Sequence, residues 1–123
     1  MKFKEYLTLE ESINKKDWQE AINATEIEAE EMVVKNWSKF DGKTINHGFC
    51  DVFAYNLKKR VKGIILWETE DPDGSGTYGH VIVNHKGVFY DAECPKGVKT
   101  TDEIPYSIRC KELTGDYAEF DKL

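Results

Sequence analysis

Apolar positions along the chain follow two periods. From Asp17 onward Trp18, Ile22, Ala29, Val33, Trp37 and Phe40 recur at spacings of three, four and seven, the pattern of an amphipathic helix. Its opposite face carries Glu26, Glu28, Glu30 and Glu31, which reads as a solvated surface, and the stripe itself as core packing. Asp41-Gly42 is expected to end this helix. A shorter helix is predicted to begin near residue 9, where Thr8-Leu9-Glu10-Glu11 has the capping-box form. The segment 41–48 reads as a loop leading into a third helix from about Cys50 to Val61, with Cys50, Ala54, Leu57 and Val61 on one face.

The second half changes period. Ile64-Ile65-Leu66-Trp67 is a strand by its branched and aromatic content, and Tyr78 to Asn84 and Val88 to Ala92 are two more, joined by His85-Lys86-Gly87. Asp71 to Thr77 is rich in turn formers. A fourth strand is predicted over Ile104 to Cys110, and the tail from Asp116 to Leu123 is expected to fray. Helices followed by antiparallel strands define an α+β fold. We read one domain over 1–123, helical in 1–61 and sheet-forming in 62–113; Trp37, Trp67 and Tyr106 line a cleft or the core, and the core is the expectation.

Composition narrows the function classes. A chain of 123 residues suffices for one hydrophobic core. No apolar run approaches the ~20 residues of a membrane helix, and Met1-Lys2-Phe3-Lys4-Glu5-Tyr6 leads into polar sequence rather than a signal-peptide core. Membrane and secretory roles are not expected. The net charge of −6 argues against nucleic acid as a partner, since phosphate binding needs clustered cations. Lys58-Lys59-Arg60 is better read as the cationic last turn of a helix. Three widely spaced cysteines, Cys50, Cys94 and Cys110, fit free thiols in a reducing compartment, and a cytoplasmic location is the expectation.

Candidate chemistry lies in the order Cys50, His80, Asp91. A thiol attacks as thiolate and needs an acid to protonate the leaving group; one imidazole serves both needs. A carboxylate behind the imidazole fixes its tautomer. Backbone N–H groups at a helix start favour an anion there, and Cys50 falls in such a first turn, where the same amides can receive an oxyanion. Asn46 is a candidate oxyanion or substrate group, and Glu93 a second carboxylate that orients His80 or binds substrate. His47 is a rival base, and His85 reads as a solvent-exposed hairpin residue. A zinc set of Cys50, His80, Cys94 and Cys110 lacks the local Cys or His pairs such sites show, and Gly74-Ser75-Gly76 lacks the lysine and helix of a phosphate loop. No metal or cofactor is expected.

Hairpin register decides whether His80 can meet Asp91. A two-residue turn on Lys86-Gly87 pairs His85 with Val88, so that His80, Ile82 and Asp91 face one way. A two-residue turn on His85-Lys86 places His80 opposite Asp91. A three-residue loop pairs Asn84 with Val88 and turns Asp91 to the other face.

At Gly48-Phe49-Cys50-Asp51-Val52-Phe53-Ala54, Gly79-His80-Val81-Ile82-Val83 and Gly87-Val88-Phe89-Tyr90-Asp91-Ala92-Glu93 the chain resembles the papain-like cysteine-enzyme superfamily. The likeness is to its compact bacterial and phage branch, the transglutaminase-like proteins and NlpC/P60 cell-wall peptidases. The Cys50–His80 interval suits the transglutaminase-like branch, whereas Val81 departs from the His-Ala-Trp sequence common there. The resemblance implies a nucleophile-bearing helix packed on a small antiparallel sheet and acyl transfer from an amide: peptide hydrolysis, glutamine deamidation or crosslinking. The resulting expectation is a thiol-dependent amide hydrolase or acyl transferase acting on a protein or peptide substrate. The alternative is a non-catalytic binding or inhibitory protein on the same scaffold.

Overall fold

Polar side chains near the chain's first described helix fix its start. Asn14 Oδ1 accepts the Asp17 N–H at 2.8 Å, an N-cap for α1, Lys15–Met32. The computed structural model describes residues 13–32, 40–46, 48–69 and 79–123. The helix predicted near residue 9, the far end of the Trp18 stripe with Trp37, the 71–77 loop and His47 lie outside the described residues.

Asp41-Gly42 opens a helix, and the end of the Trp18 helix expected there lies outside the described residues. Asp41 Oδ1 accepts the Thr44 N–H at 3.1 Å, capping the short helix α2, Gly42–Asn46, where a loop was expected. A Cβ on Gly42 would stand 2.0 Å from the Ala92 carbonyl oxygen, so only glycine lets α2 lie this close to the segment after Tyr90. Gly48, at φ 136°, turns the chain into α3, Cys50–Arg60. Phe53, Ala54 and Leu57 of α3 are buried against Ala21 and Trp18 of α1, with the Trp18 and Phe53 rings edge-on at 5.0 Å. Asn56 is buried too, donating to Thr25 Oγ1 at 3.3 Å. The cationic end of α3 behaves as expected: Arg60 donates to the Asn56 carbonyl and Lys58 to that of Ile64.

The strands β1, Ile65–Thr69, β2, Val81–His85, β3, Val88–Tyr90, and β4, Phe120–Lys122, form one antiparallel sheet in the order β3-β2-β1-β4. The fold is therefore α+β, as the change of period implies. Two predicted elements are corrected. Ile104 to Cys110 is not a strand: α4 spans Pro105–Thr114, with Pro105 in its first turn and Gly115 in the left-handed conformation (φ 88°) after its end. Proline cannot donate to a sheet ladder but suits the first helical position, and glycine is the usual stop. The fourth strand lies instead in the tail expected to fray, where Phe120 pairs with Thr69 and the Leu123 N–H donates to Leu66.

Alternation along the strands gives the sheet two covered faces. Leu66, Val83 and Tyr90 pack with α1 and α3, whereas Ile82, Phe89 and Trp67 pack with Ile104, Cys110 and Phe120 under α4. His85 is buried rather than exposed at the hairpin tip, because it shares the inward period of Val83. The hairpin takes the Lys86-Gly87 turn: His85 pairs with Val88, and positive φ at both turn residues (52° and 83°) matches a type I′ turn.

Candidate active site

That register sends His80, just ahead of β2, and Asp91, just after β3, to the face covered by α4. They meet there. His80 Nε2 lies 2.8 Å from Asp91 Oδ2, and both side chains are almost wholly buried. Facing a carboxylate, Nε2 must be the donor, so Nδ1 is the nitrogen left for a second partner. Cys50, in the first turn of α3, lines the same pocket as His80 and acts on its proton. The structure thus brings Cys50, His80 and Asp91 together in the order the sequence suggested.

Opposed forces act on the His80 proton. Burial pulls its pKa down, but the Asp91 hydrogen bond, the Cys50 contact and the charges of both outweigh it and hold the imidazole at about 9 instead of 6.5. His80 therefore carries its proton at neutral pH. The ring is stacked on Tyr106 of α4 at 4.6 Å between centroids and 19° between planes, and edge-on to Phe120 at 6.5 Å.

Asp91 is held from several directions. Its Oδ1 accepts the Glu93 N–H at 2.9 Å, and its Oδ2 accepts from Asn46 Nδ2 at 3.3 Å as well as from His80. Asn46 Nδ2 also donates to Glu93 Oε1 at 2.9 Å. This corrects the oxyanion role expected of Asn46: the two hydrogens of its amide are committed to two carboxylates. Its Oδ1 is buried and has no hydrogen-bond partner among the described residues. The opposite assignment of the amide would set an oxygen against both carboxylates, which fixes its orientation.

Glu93 does not reach His80. It forms a two-armed pair with Arg109 of α4, at 3.1 Å from Nη1 to Oε2 and 2.9 Å from Nη2 to Oε1. Burial would raise the Glu93 pKa, but the hydrogen bonds from Arg109 and Asn46 prevail and lower it. Arg109 was not foreseen, and for Tyr106 the core was preferred to a cleft; the strand expected over 104–110 would have sent residues 106 and 109 to opposite faces. The available signal was Pro105 at a helix start, which puts residues three apart on one face.

A pocket of about 180 Å³ opens beside the thiol, lined by Asn46, Gly48, Cys50, Asp51, Gly79, His80, Val81 and Tyr106. Tyr106 thus serves a cleft as well as the core. The N-cap residue Phe49 makes no side-chain hydrogen bond to the first turn of α3, so the amides beside Cys50 receive no cap from it. The other thiols differ: Cys110 is buried, and burial together with the nearby Asp91 charge pushes the Cys94 thiol up. Among the described residues no group of three or more His, Cys, Asp or Glu side chains is arranged to hold a metal ion.

No protein-family model matches the chain, and no curated protein or solved structure matches it.

Proposed function

We propose that the chain is a papain-like thiol enzyme that hydrolyses or transfers the acyl group of an amide, with Cys50 as nucleophile, His80 as acid and base, and Asp91 orienting His80. The observation that carries this reading is a buried His80 held 2.8 Å from Asp91 through Nε2, with Cys50 beside it at an open pocket.

The Cys50 thiolate adds to the amide carbonyl carbon, forming the C–S bond as the carbonyl π pair moves to oxygen. First-turn amides of α3 are the donors available to that oxyanion. Collapse breaks the C–N bond, and the His80 imidazolium gives its Nδ1 proton to the leaving amine. Water then attacks the thioester, His80 takes a proton from it, and the acid leaves as Cys50 is regenerated. An amine in place of water gives transfer. Asp91 receives no proton in this sequence; it keeps Nε2–H engaged so that Nδ1 faces sulfur.

The substrate is a protein or peptide whose acyl group enters the pocket of about 180 Å³ beside Cys50. That modest volume also favours the second reading, a binding or inhibitory protein on the same scaffold, over an enzyme with a long cleft. Three free cysteines support a reducing location such as the cytoplasm, and none of the described helices is long and apolar enough to cross a membrane.

Limited iodoacetamide near neutral pH, read by peptide mass spectrometry, is the test. Cys50 should be labelled ahead of Cys94 and Cys110, and His80→Gln should remove the preference. Equal labelling of the three thiols would defeat the catalytic reading.

A further inference from the structure

The helix α4 touches the site at two points on one face, through Tyr106 on the His80 ring and through Arg109 on Glu93. From Arg109 the contacts run without a gap: the guanidinium fork to Glu93, Glu93 Oε1 to Asn46 Nδ2, and Asn46 Nδ2 to the same Asp91 oxygen that His80 uses. Glu93 is also tied to Asp91 through its own backbone N–H.

Such an anchor has a use. The Asn46 amide accepts a defined pose only if both carboxylates stay in place, and Glu93 would be free to swing toward solvent without the planar fork that grips both its oxygens. A lysine cannot replace that grip, since it offers a point charge rather than two parallel donors. Resting on the acyl-transfer reading above, we infer that Arg109 is a positioning residue: through Glu93 and Asn46 it fixes the Asp91 carboxylate against His80, so that the imidazole is held toward Cys50.

The test separates position from charge. The groups that bear on the His80 proton are Asp91 and Glu93 after β3, Cys50 on α3 and the stacked Tyr106 on α4. Removing the Arg109 charge by itself would make His80 easier to protonate, because a repelling cation is gone. Loosening Asp91 would make it harder. The His80 ring of the intact chain can be titrated by heteronuclear NMR, its signal assigned through its contact with the Tyr106 ring.

Arg109→Lys keeps the charge and loses the fork; its His80 midpoint should fall by about 0.3–0.7 pH unit, about a two- to five-fold loss of proton affinity, the range of a partly exposed pair. Arg109→Ala should also fall, despite the lost repulsion. A midpoint that stays or rises in both variants overturns the inference. In a Glu93→Gln background Arg109→Lys should add nothing, and additive shifts would show that Arg109 does not act through Glu93. Iodoacetamide labelling of the unaltered protein reports separately on the acyl-transfer reading. Unselective labelling would end that reading, while the NMR midpoint still decides whether Arg109 positions His80.

Discussion

Replacing Asp91 by Asn tests the centre of the site. Folding raises the His80 pKa from 6.5 to about 9, so the folded state binds that proton more tightly than the unfolded chain. Each pH unit of difference is worth about 1.36 kcal/mol, which makes the linked stabilisation about 3 kcal/mol. The sign follows from which state holds the proton: the contribution is complete below pH 6.5 and fades as pH rises through about 9. In Asp91→Asn the burial that disfavours imidazolium is unopposed by the carboxylate, so His80 stays neutral over most of that range. A second loss does not depend on pH. The new amide nitrogen meets either the Glu93 N–H or the Asn46 NH₂, donor against donor, at a cost of about 1–3 kcal/mol. Urea unfolding of both proteins at pH 6 and pH 10 separates the two losses, since other titrations common to both proteins cancel in the difference. The variant should trail by about 4–6 kcal/mol at pH 6 and by about 1–3 kcal/mol at pH 10. A deficit equal at the two pH values would refute the assignment of a protonated His80 to the Asp91 pair.

Further outcomes follow from the packing. Gly42→Ala drives a methyl into the Ala92 carbonyl, and should cost about 1–3 kcal/mol in urea melts while slowing Cys50 alkylation by displacing Asn46. Phe53→Ala removes a fully buried ring packed on Trp18 and should cost about 3–5 kcal/mol by the same melts. Gly115→Ala, in open space but at φ 88°, should lower stability by only about 1 kcal/mol and leave the alkylation rate of Cys50 unchanged.

The sequence pattern carried the helix–strand division and the hairpin because both rest on local rules. Period 3.6 at Trp18 and Ile22, period 2 around Ile82, and a Lys86-Gly87 turn each act over a few residues. Those rules let Cys50, His80 and Asp91 meet in two of three hairpin registers, and the structure takes one of the two. The C-terminal third was misread where apolar content was weighed above punctuation: Pro105 and Gly115 bracket a helix, while Phe120 pairs with β1 across a separation that no local rule reports. The role of Asn46 depends on the depth at which α2 sits against Ala92, and that depth is set by a missing Cβ on Gly42. His85 was misplaced for a related reason, since a hairpin residue beside a two-residue turn can still point inward.

The anchor around Asp91 also bears on how the molecule reaches its folded state. Asn46 is separated from Asp91 by 45 residues and from Glu93 by 47, and Arg109 reaches Glu93 across a further 16. Each of these contacts closes a loop, and long closures come late because their entropy must be met before any bond rewards it. A chain still emerging from synthesis presents Cys50 well before His80, Asp91 or α4 exists to meet it. The support behind the base of the site is therefore complete only when these long loops have closed.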